Sequence, residues 1–414
     1  MLEQGRTYSN MGYLLGKEVE AMKWQNRGHE FDELAETYTT LFQENGEKIY
    51  IFGAGYLGGE VRDIVEHLGC FGGYIDNDVK KQRSGAEGSR VMSLGQYMNL
   101  NQKGIVVVAV EKFVSEIEKQ LEGKGLSKGN NYFIWDVFLQ KVLPLILAYH
   151  YNFAYVELAQ ISVTERCSLR CRKCAHACSY VPRDAKDLTI EEVYRSADAF
   201  FSRVDLCREF VLIGGEPLLY KHLTEAVEYI GKKYRNQMIR FCITTNGTIL
   251  PQEELLDVCR KFGVMFRISN YSEQVPYLND KYQTLTQTLS ANEVWYAIAD
   301  PDGSWMDYGF DYMDRSCDDE GLQKVFEACR TPCREIRGSR YYFCVMARSV
   351  SENMGFGVGE DDFLDLEKLH GDYKKILMEF ELGYSEKGYL DMCRHCNGAD
   401  AKDLPIPVAE QVSV

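Results

Sequence analysis

The sequence predicts an α/β protein built in three stretches: a small doubly wound unit, a longer series of parallel strands and helices curved into a partial barrel, and a cysteine-rich tail. Three observations predict it. Short apolar runs alternate with amphipathic helical stretches from Lys48 to about residue 311. Glycine-rich turns follow strands in both series. Six of the 14 cysteines gather in two tight groups, Cys167/Cys171/Cys174/Cys178 and Cys393/Cys396.

Residues 1–46 read as an amphipathic helical segment, and 47–137 as the doubly wound unit. In that unit Ile49–Phe52 is a short apolar strand, followed by Gly53-Ala-Gly55-Tyr-Leu-Gly58 and a helix through His67. A second strand ends at Asp76, a third covers 105–110 and a last one 132–137. Residues 138–154 read as a connector. From 155 to 311 strands are expected at 156–163, 209–213, 238–244, 264–268 and 294–298. Helices are expected at 223–234, at 253–262 and from Thr189 to Phe201, where Thr189-Ile-Glu-Glu192 forms a capping box. Strand–helix alternation with short loops calls for a parallel sheet, as in a partial (β/α)6 barrel. Residues 312–414 break into shorter pieces rich in cysteine and aromatic residues.

Composition narrows the function. The 414 residues are 45% hydrophobic, ample for packed cores, and carry a net charge of −15. Such a surface repels nucleic acid and anionic membranes, so neither is an expected partner. The N-terminus lacks the basic start and apolar core of a secretory signal, and the apolar run 142–148 is too short to span a bilayer, so a cytoplasmic location is expected. In that setting clustered thiols point to metal ligation rather than disulfides. Cys70, Cys207, Cys242 and Cys259 lie in apolar patterns and read as buried hydrophobes.

Cys167-Ser-Leu-Arg-Cys171-Arg-Lys-Cys174 places three thiols on one loop after a strand. Soft thiolates select iron–sulfur clusters, zinc or copper. Three ligands leave one iron of a four-iron cluster open to a cofactor. A structural zinc site, with Cys178 or His176 as fourth ligand, is the alternative for this loop alone. The following strands carry Gly214-Gly215-Glu216-Pro217, then Thr245-Asn246-Gly247-Thr248, then Arg267 and Ser269. In this order the motifs resemble the CxxxCxxC, GGEP and TNG signatures of the radical SAM superfamily, over roughly residues 155–300.

That resemblance implies a [4Fe-4S] cluster on Cys167, Cys171 and Cys174, with S-adenosylmethionine chelating the open iron. Gly214, Gly215, Glu216 and Pro217 would meet its amino group, and Asn246, Arg267 and Ser269 would line its site. An electron from a donor such as flavodoxin or ferredoxin would yield methionine and a 5′-deoxyadenosyl radical. Lys173 departs from the family, where an aromatic residue often precedes the third cysteine.

Downstream, Cys329, Cys333, Cys344 and Cys393-Arg-His-Cys396 resemble the twitch/SPASM extensions of such enzymes. The resemblance implies one auxiliary [4Fe-4S] cluster held by Cys344, Cys393, Cys396 and either Cys333 or Cys329; a four-cysteine zinc knuckle is the alternative. An auxiliary cluster fits a two-electron oxidation. Epimerisation needs instead a thiol that returns hydrogen, for which Cys317 is the candidate, or Cys329 if it is not a ligand.

Gly53, Gly55 and Gly58 opening a helix, with Asp76 ending the next strand, form a Rossmann-like dinucleotide fingerprint. The pattern also resembles the N-terminal domains of sugar N-acyltransferases, which recognise nucleotide-linked sugars. The expected function is oxidation or epimerisation of a carbohydrate-like or nucleotide-linked small molecule. A ribosomal peptide maturase of the twitch/SPASM type is the alternative.

Overall fold

A computed structural model of the chain describes residues 6–8, 31–101, 103–301, 303–329, 331 and 333–412. It divides into two compact units, one over residues 31–153 and the other from Ala154 onward together with Arg6–Tyr8. Among the described residues no helix is long and apolar enough to cross a membrane.

In the first unit Ile49–Phe52 (β2), Phe71–Ile75 (β3), Val91–Met92 (β4), Ile105–Val108 (β5) and Tyr132–Ile134 (β6) form a parallel sheet in the order β4-β3-β2-β5-β6. The order reverses at β2, which leaves a crevice beyond the carboxyl ends of β2 and β5. All four residues of β5 are buried, as an unbroken Ile-Val-Val-Val run requires of a strand covered on both faces. The helix Tyr56–His67 starts hard against the β2 turn. A Cβ on Gly58 would stand 1.8 Å from the Gly53 carbonyl oxygen, so a side chain there would push the helix off the strand.

Two segments differ from the sequence expectation. The last strand stops at Ile134, and the supposed connector is helical from Trp135 to Tyr149. Leu143–Tyr149 is apolar all round and packs on the helix Phe31–Glu44 (Pro144 sits in its first turn, where no amide hydrogen is needed). Of the segment expected to be helical over 1–46, Phe31–Glu44 is a helix and Arg6–Tyr8 (β1) a strand; residues 1–5 and 9–30 lie outside the described residues.

The second unit holds Tyr155–Thr164 (β7), Leu206–Gly214 (β8), Met238–Thr245 (β9), Val264–Ile268 (β10), Tyr296–Ala299 (β11), Ser304–Met306 (β12), Arg334–Arg337 (β13), Arg340–Tyr342 (β14), Phe363–Asp365 (β15) and Pro405–Pro407 (β16). Nine strands form one sheet, β1-β11-β10-β9-β8-β7-β13-β14-β15, while β12 and β16 pair separately. From β1 to β7 every pairing is parallel, so the sixth parallel strand comes from the N-terminus and not from residues 155–311. The strands of the C-terminal stretch continue this sheet: β13 adds parallel to β7, and β14 and β15 follow antiparallel.

The helices Ile190–Phe201, Leu223–Tyr234, Glu253–Phe262 and Leu278–Ala291 connect successive strands, and the expected capping box closes at Thr189 and Glu192. They bury one face of the sheet in a core that includes Phe210, Phe241 and Phe266. Register and alternation put Gln160 and Ser162 of β7, Glu209 of β8, Arg240 and Cys242 of β9 and Arg267 of β10 on the opposite face. Cys70, Cys207, Cys242 and Cys259 are all buried.

A buried ion network closes the β7 end of the sheet. Arg348, fully buried on the helix Val345–Met354, pairs with the equally buried Glu335 of β13 and with Glu165 just beyond β7. Removing one partner of a buried pair leaves an uncompensated charge. Arg348→Met should therefore lower the unfolding free energy of the larger unit by about 3–5 kcal/mol in chemical denaturation. A loss of under about 1 kcal/mol, the range of a surface pair, would contradict the burial described here.

Candidate functional site

The site is built where β7, β8, β9 and β10 end. Beyond β7, the Thr164 hydroxyl donates to Asp187 at 2.6 Å, and the Arg166 guanidinium grips the same carboxylate with two bonds of 2.8 and 2.6 Å. This holds the start of the cysteine loop. The end of β8 lies against it: a Cβ on Gly214 would meet the Thr164 carbonyl oxygen at 2.1 Å, and one on Gly215 the Arg166 oxygen at 2.2 Å. Only glycine permits that approach.

Glu216 is fully buried, and its carboxylate joins two turns. One oxygen accepts from the Leu218 amide (3.0 Å) and the Thr245 hydroxyl (2.8 Å), the other from the Asn246 amide (2.8 Å). Burial pushes its pKa up to about 7 against the pull of those three donors. Asn246, so fixed, directs its side-chain amide at Cys167 Sγ (3.5 Å) and at the Ser168 hydroxyl (3.1 Å). Ser269 bonds through its own amide to the Thr245 carbonyl at 2.9 Å, and the Tyr282 hydroxyl donates to the Ser269 carbonyl at 2.9 Å. Gly214, Gly215, Glu216, Asn246 and Ser269 thus converge on the Cys167 loop. Pro217 opens the short turn that Glu216 caps. Arg267 turns to the opposite face of the sheet, where it pairs with buried Glu209.

The three loop thiols act on one another. Burial is the largest influence on Cys167 and Cys171 and pushes each up to about 12, with the Cys174 charge adding to it. The Cys178 thiol donates to Cys174 and holds that pKa below the ordinary thiol value. Gln411 donates to Cys171 Sγ at 3.2 Å. Lys173 is carried away from the thiols: its ammonium pairs with Asp307 and Asp311 and lies 4.1 Å over the Tyr312 ring. Among the described residues no group of three or more His, Cys, Asp or Glu side chains is gathered as a single-ion site.

The C-terminal cysteines meet around Tyr308, whose phenol burial raises and whose ionisation Cys333, Cys329, Cys396 and Cys344 oppose further. Burial pushes Cys344 and Cys396 up to about 12 and Cys393 higher, and the Cys329 thiol acts on all three. Cys333 differs. Burial lifts it to about 11, and the charges acting on it are Arg267, Arg334, Glu209 and Glu335. Cys317 packs at the start of the helix Asp319–Ala328 against Gly321, outside the sheet.

In the first unit a cavity of about 470 Å³ opens at the ends of β2 and β3, lined by Gly53, Asp76, Lys81, Lys112 and Phe113 among others. The Asp76 carboxylate accepts from the Ala54 and Asp78 amides, both at 2.8 Å, and from Lys81 at 3.1 Å, so it also clamps the glycine turn.

Several site residues had no signal in the sequence. Ser168 and Thr248 share a 2.5 Å hydrogen bond across the two turns, and Asn353 donates to the His176 carbonyl at 2.9 Å. Their partners are far away along the chain, and no local spacing announces them.

Parallel strands, the close-packed glycines and the thiol loop define a domain class that sequence comparison names. Residues 161–299 match the model of the Radical SAM superfamily, whose members are enzymes that cleave S-adenosylmethionine with a [4Fe-4S] cluster. Among individual proteins, the GTP 3′,8-cyclase of Rhizobium etli (strain CIAT 652) is 38% identical over 106 residues, covering 25% of this chain and 29% of that protein. Molybdenum cofactor biosynthesis protein 1 of Dictyostelium discoideum is 37% identical over 142 residues, 34% of this chain and 21% of that one. The chain therefore spans less than a third of the length of either relative. A crystal structure of BtrN in complex with AdoMet and 2-DOIA has a TM-score of 0.39 at 16% identity, over 62% of this chain and 97% of that one.

Glu216→Gln places an amide NH2 against three donors. Binding of S-adenosylmethionine to the reconstituted protein, measured by equilibrium dialysis, should weaken at least about tenfold, the effect of one lost buried hydrogen bond. Because the folded pKa lies above the ordinary 4.5, folding takes up a proton and the Glu216 contribution to stability falls as pH rises from 4.5 to about 7. The variant should lose that slope. Unchanged affinity together with an unchanged pH profile would contradict the role given to this carboxylate.

Proposed function

We propose that the larger unit cleaves S-adenosylmethionine reductively and turns the radical on a carbohydrate-like or nucleotide-linked small molecule, which it oxidises or epimerises. The observation that carries this reading is the buried tie from Glu216 to the Thr245-Asn246 turn, because it brings the GGEP and TNG motifs to the Cys167 thiol. Three mutually interacting thiols on one loop suit a four-iron cluster with one open iron. When bound, that cluster and S-adenosylmethionine would supply a 5′-deoxyadenosyl radical.

The chain's own residues do the positioning. Gly214 and Gly215 present backbone to the cofactor's amino group, Asn246 orients beside Cys167, and Ser269 stands at the next strand end. Cys344, Cys393, Cys396 and one of Cys329 and Cys333 are assigned to an auxiliary four-iron cluster in a twitch-like extension. An electron donor of the flavodoxin or ferredoxin kind is required.

The Rossmann-like first unit is assigned to a nucleotide or nucleotide-linked sugar, supported by its strand order and by the cavity beside Gly53 and Asp76. The names of the cyclase relatives, which act on GTP, are in keeping with a nucleotide-bearing substrate. A parallel α/β unit, where a peptide maturase often carries a winged helix, favours the small molecule over a ribosomal peptide.

Two measurements check this reading. Single Cys167→Ala, Cys171→Ala and Cys174→Ala variants should form no 5′-deoxyadenosine from S-adenosylmethionine and dithionite, whereas Cys393→Ala should keep forming it; cleavage surviving in any of the first three contradicts the ligand assignment. In thermal shift, a panel of nucleotide sugars should contain a stabilising member whose effect Gly55→Asp abolishes. A panel with no effect removes the support for the nucleotide-linked substrate.

A further inference from the structure

The roles assigned so far do not use the thiol of Cys333. This residue stands two positions before Glu335 at the entry to β13, and alternation puts both on the sheet face that carries Gln160, which donates to Glu335 at 3.4 Å. There Cys333 packs with Leu158, Val211 and Cys242. The charges acting on it are those of this face, Arg267 and Glu209 among them, whereas Cys329 acts on Cys344, Cys393 and Cys396. Four thiolates complete an auxiliary cluster, and Cys329, Cys344, Cys393 and Cys396 supply them without Cys333.

A second observation marks the same face as a ligand site. Ser162 of β7 is fully buried, yet its hydroxyl has no hydrogen-bond partner. Its register partner Ile213 packs in the apolar cluster of Cys333. A buried hydroxyl left unpaired is costly, and a bound polar molecule would relieve it. Such a molecule would lie between two ends. The thiol loop, Glu216 and Asn246 stand at the carboxyl ends of the strands, while Cys333 precedes Arg334, the residue aligned with Ala159 in the first half of β7.

We infer that Cys333 is a free thiol facing the space where the radical reaction occurs, and that it hands a hydrogen atom to the substrate radical from the side away from the S-adenosylmethionine loop. This rests on the radical reading above and selects epimerisation over oxidation. The substrate first loses a hydrogen atom to the 5′-deoxyadenosyl radical, which becomes 5′-deoxyadenosine. The carbon radical then takes the sulfur-bound hydrogen of Cys333, so that a C–H bond forms and the weaker S–H bond breaks. One electron from the flavodoxin- or ferredoxin-type donor and one solvent proton restore the thiol from its thiyl radical. The substrate undergoes no net oxidation; only the configuration at carbon changes. A polar, hydroxyl-bearing molecule suits a face lined by Ser162, Gln160 and the Arg267–Glu209 pair.

The test uses full-length wild type, Cys333→Ala, Cys333→Ser and Cys329→Ala, reconstituted anaerobically. Iron is counted, and 5′-deoxyadenosine formed from S-adenosylmethionine and dithionite in D2O, with no substrate added, is weighed by mass spectrometry. Both Cys333 variants should hold wild-type iron, while Cys329→Ala loses about four irons, one cluster's worth. With no substrate in the way, the exchanged Cys333 thiol is the weakest hydrogen source on that face. Wild-type product should therefore carry deuterium, and both Cys333 variants should lose at least about five-sixths of it. Loss of iron in Cys333→Ala and Cys333→Ser would make Cys333 a ligand and overturn the inference, as would deuterium at the wild-type level in both. Wild type that binds no iron and cleaves nothing overturns the radical reading itself, and this inference with it.

Discussion

The second unit depends on one buried carboxylate. Glu216 has no exposure to solvent, and burying an ionisable group without partners costs far more than any single contact returns. Donors from two turns, after β8 and after β9, satisfy it together. Neither turn can shift without stranding the carboxylate, so the spacing between them is fixed. The Cys167 loop is held to the same frame from two sides, by Asn246 against its thiol and by Gly214 and Gly215 against its backbone. A site that must hold a cofactor on three strand ends needs this kind of over-determination.

Much of this frame was legible in the sequence because its signals are local. The all-apolar run at β5 marks a buried strand, Thr189-Ile-Glu-Glu192 marks a helix start, and Gly214-Gly215-Glu216 marks a close backbone approach. What was not legible depends on partners distant in the chain. The strand Arg6–Tyr8 joins the sheet by pairing with Ala297–Ala299, nearly the whole barrel stretch away. Nothing in a seven-residue window tells the apolar segment 143–149 from a linker until Phe31–Glu44 packs on it. The helix Leu278–Ala291 went unread although Leu278, Tyr282, Leu285 and Leu289 carry a helical period and are buried.

The cysteines show the same division. Spacing groups Cys167, Cys171 and Cys174 and pairs Cys393 with Cys396, but it cannot choose between Cys329 and Cys333, four residues apart. Register makes the distinction, since β13 pairs with β7 and turns Cys333 toward the polar face of the sheet. Arg348 explains why β13 stays there: its pairs with Glu335 and Glu165 join the helix after Cys344 to the residues just ahead of the first thiol loop. The two thiol groups are thus parts of one sheet, and the face between them carries the buried polar side chains of a reaction chamber.

The most direct test of the central claim is chemical. The full-length protein is reconstituted anaerobically, its iron and sulfide are counted, and dithionite and S-adenosylmethionine are added. The account predicts about eight irons per chain, two four-iron clusters, with formation of 5′-deoxyadenosine. Zinc in place of iron, with no 5′-deoxyadenosine, would contradict it.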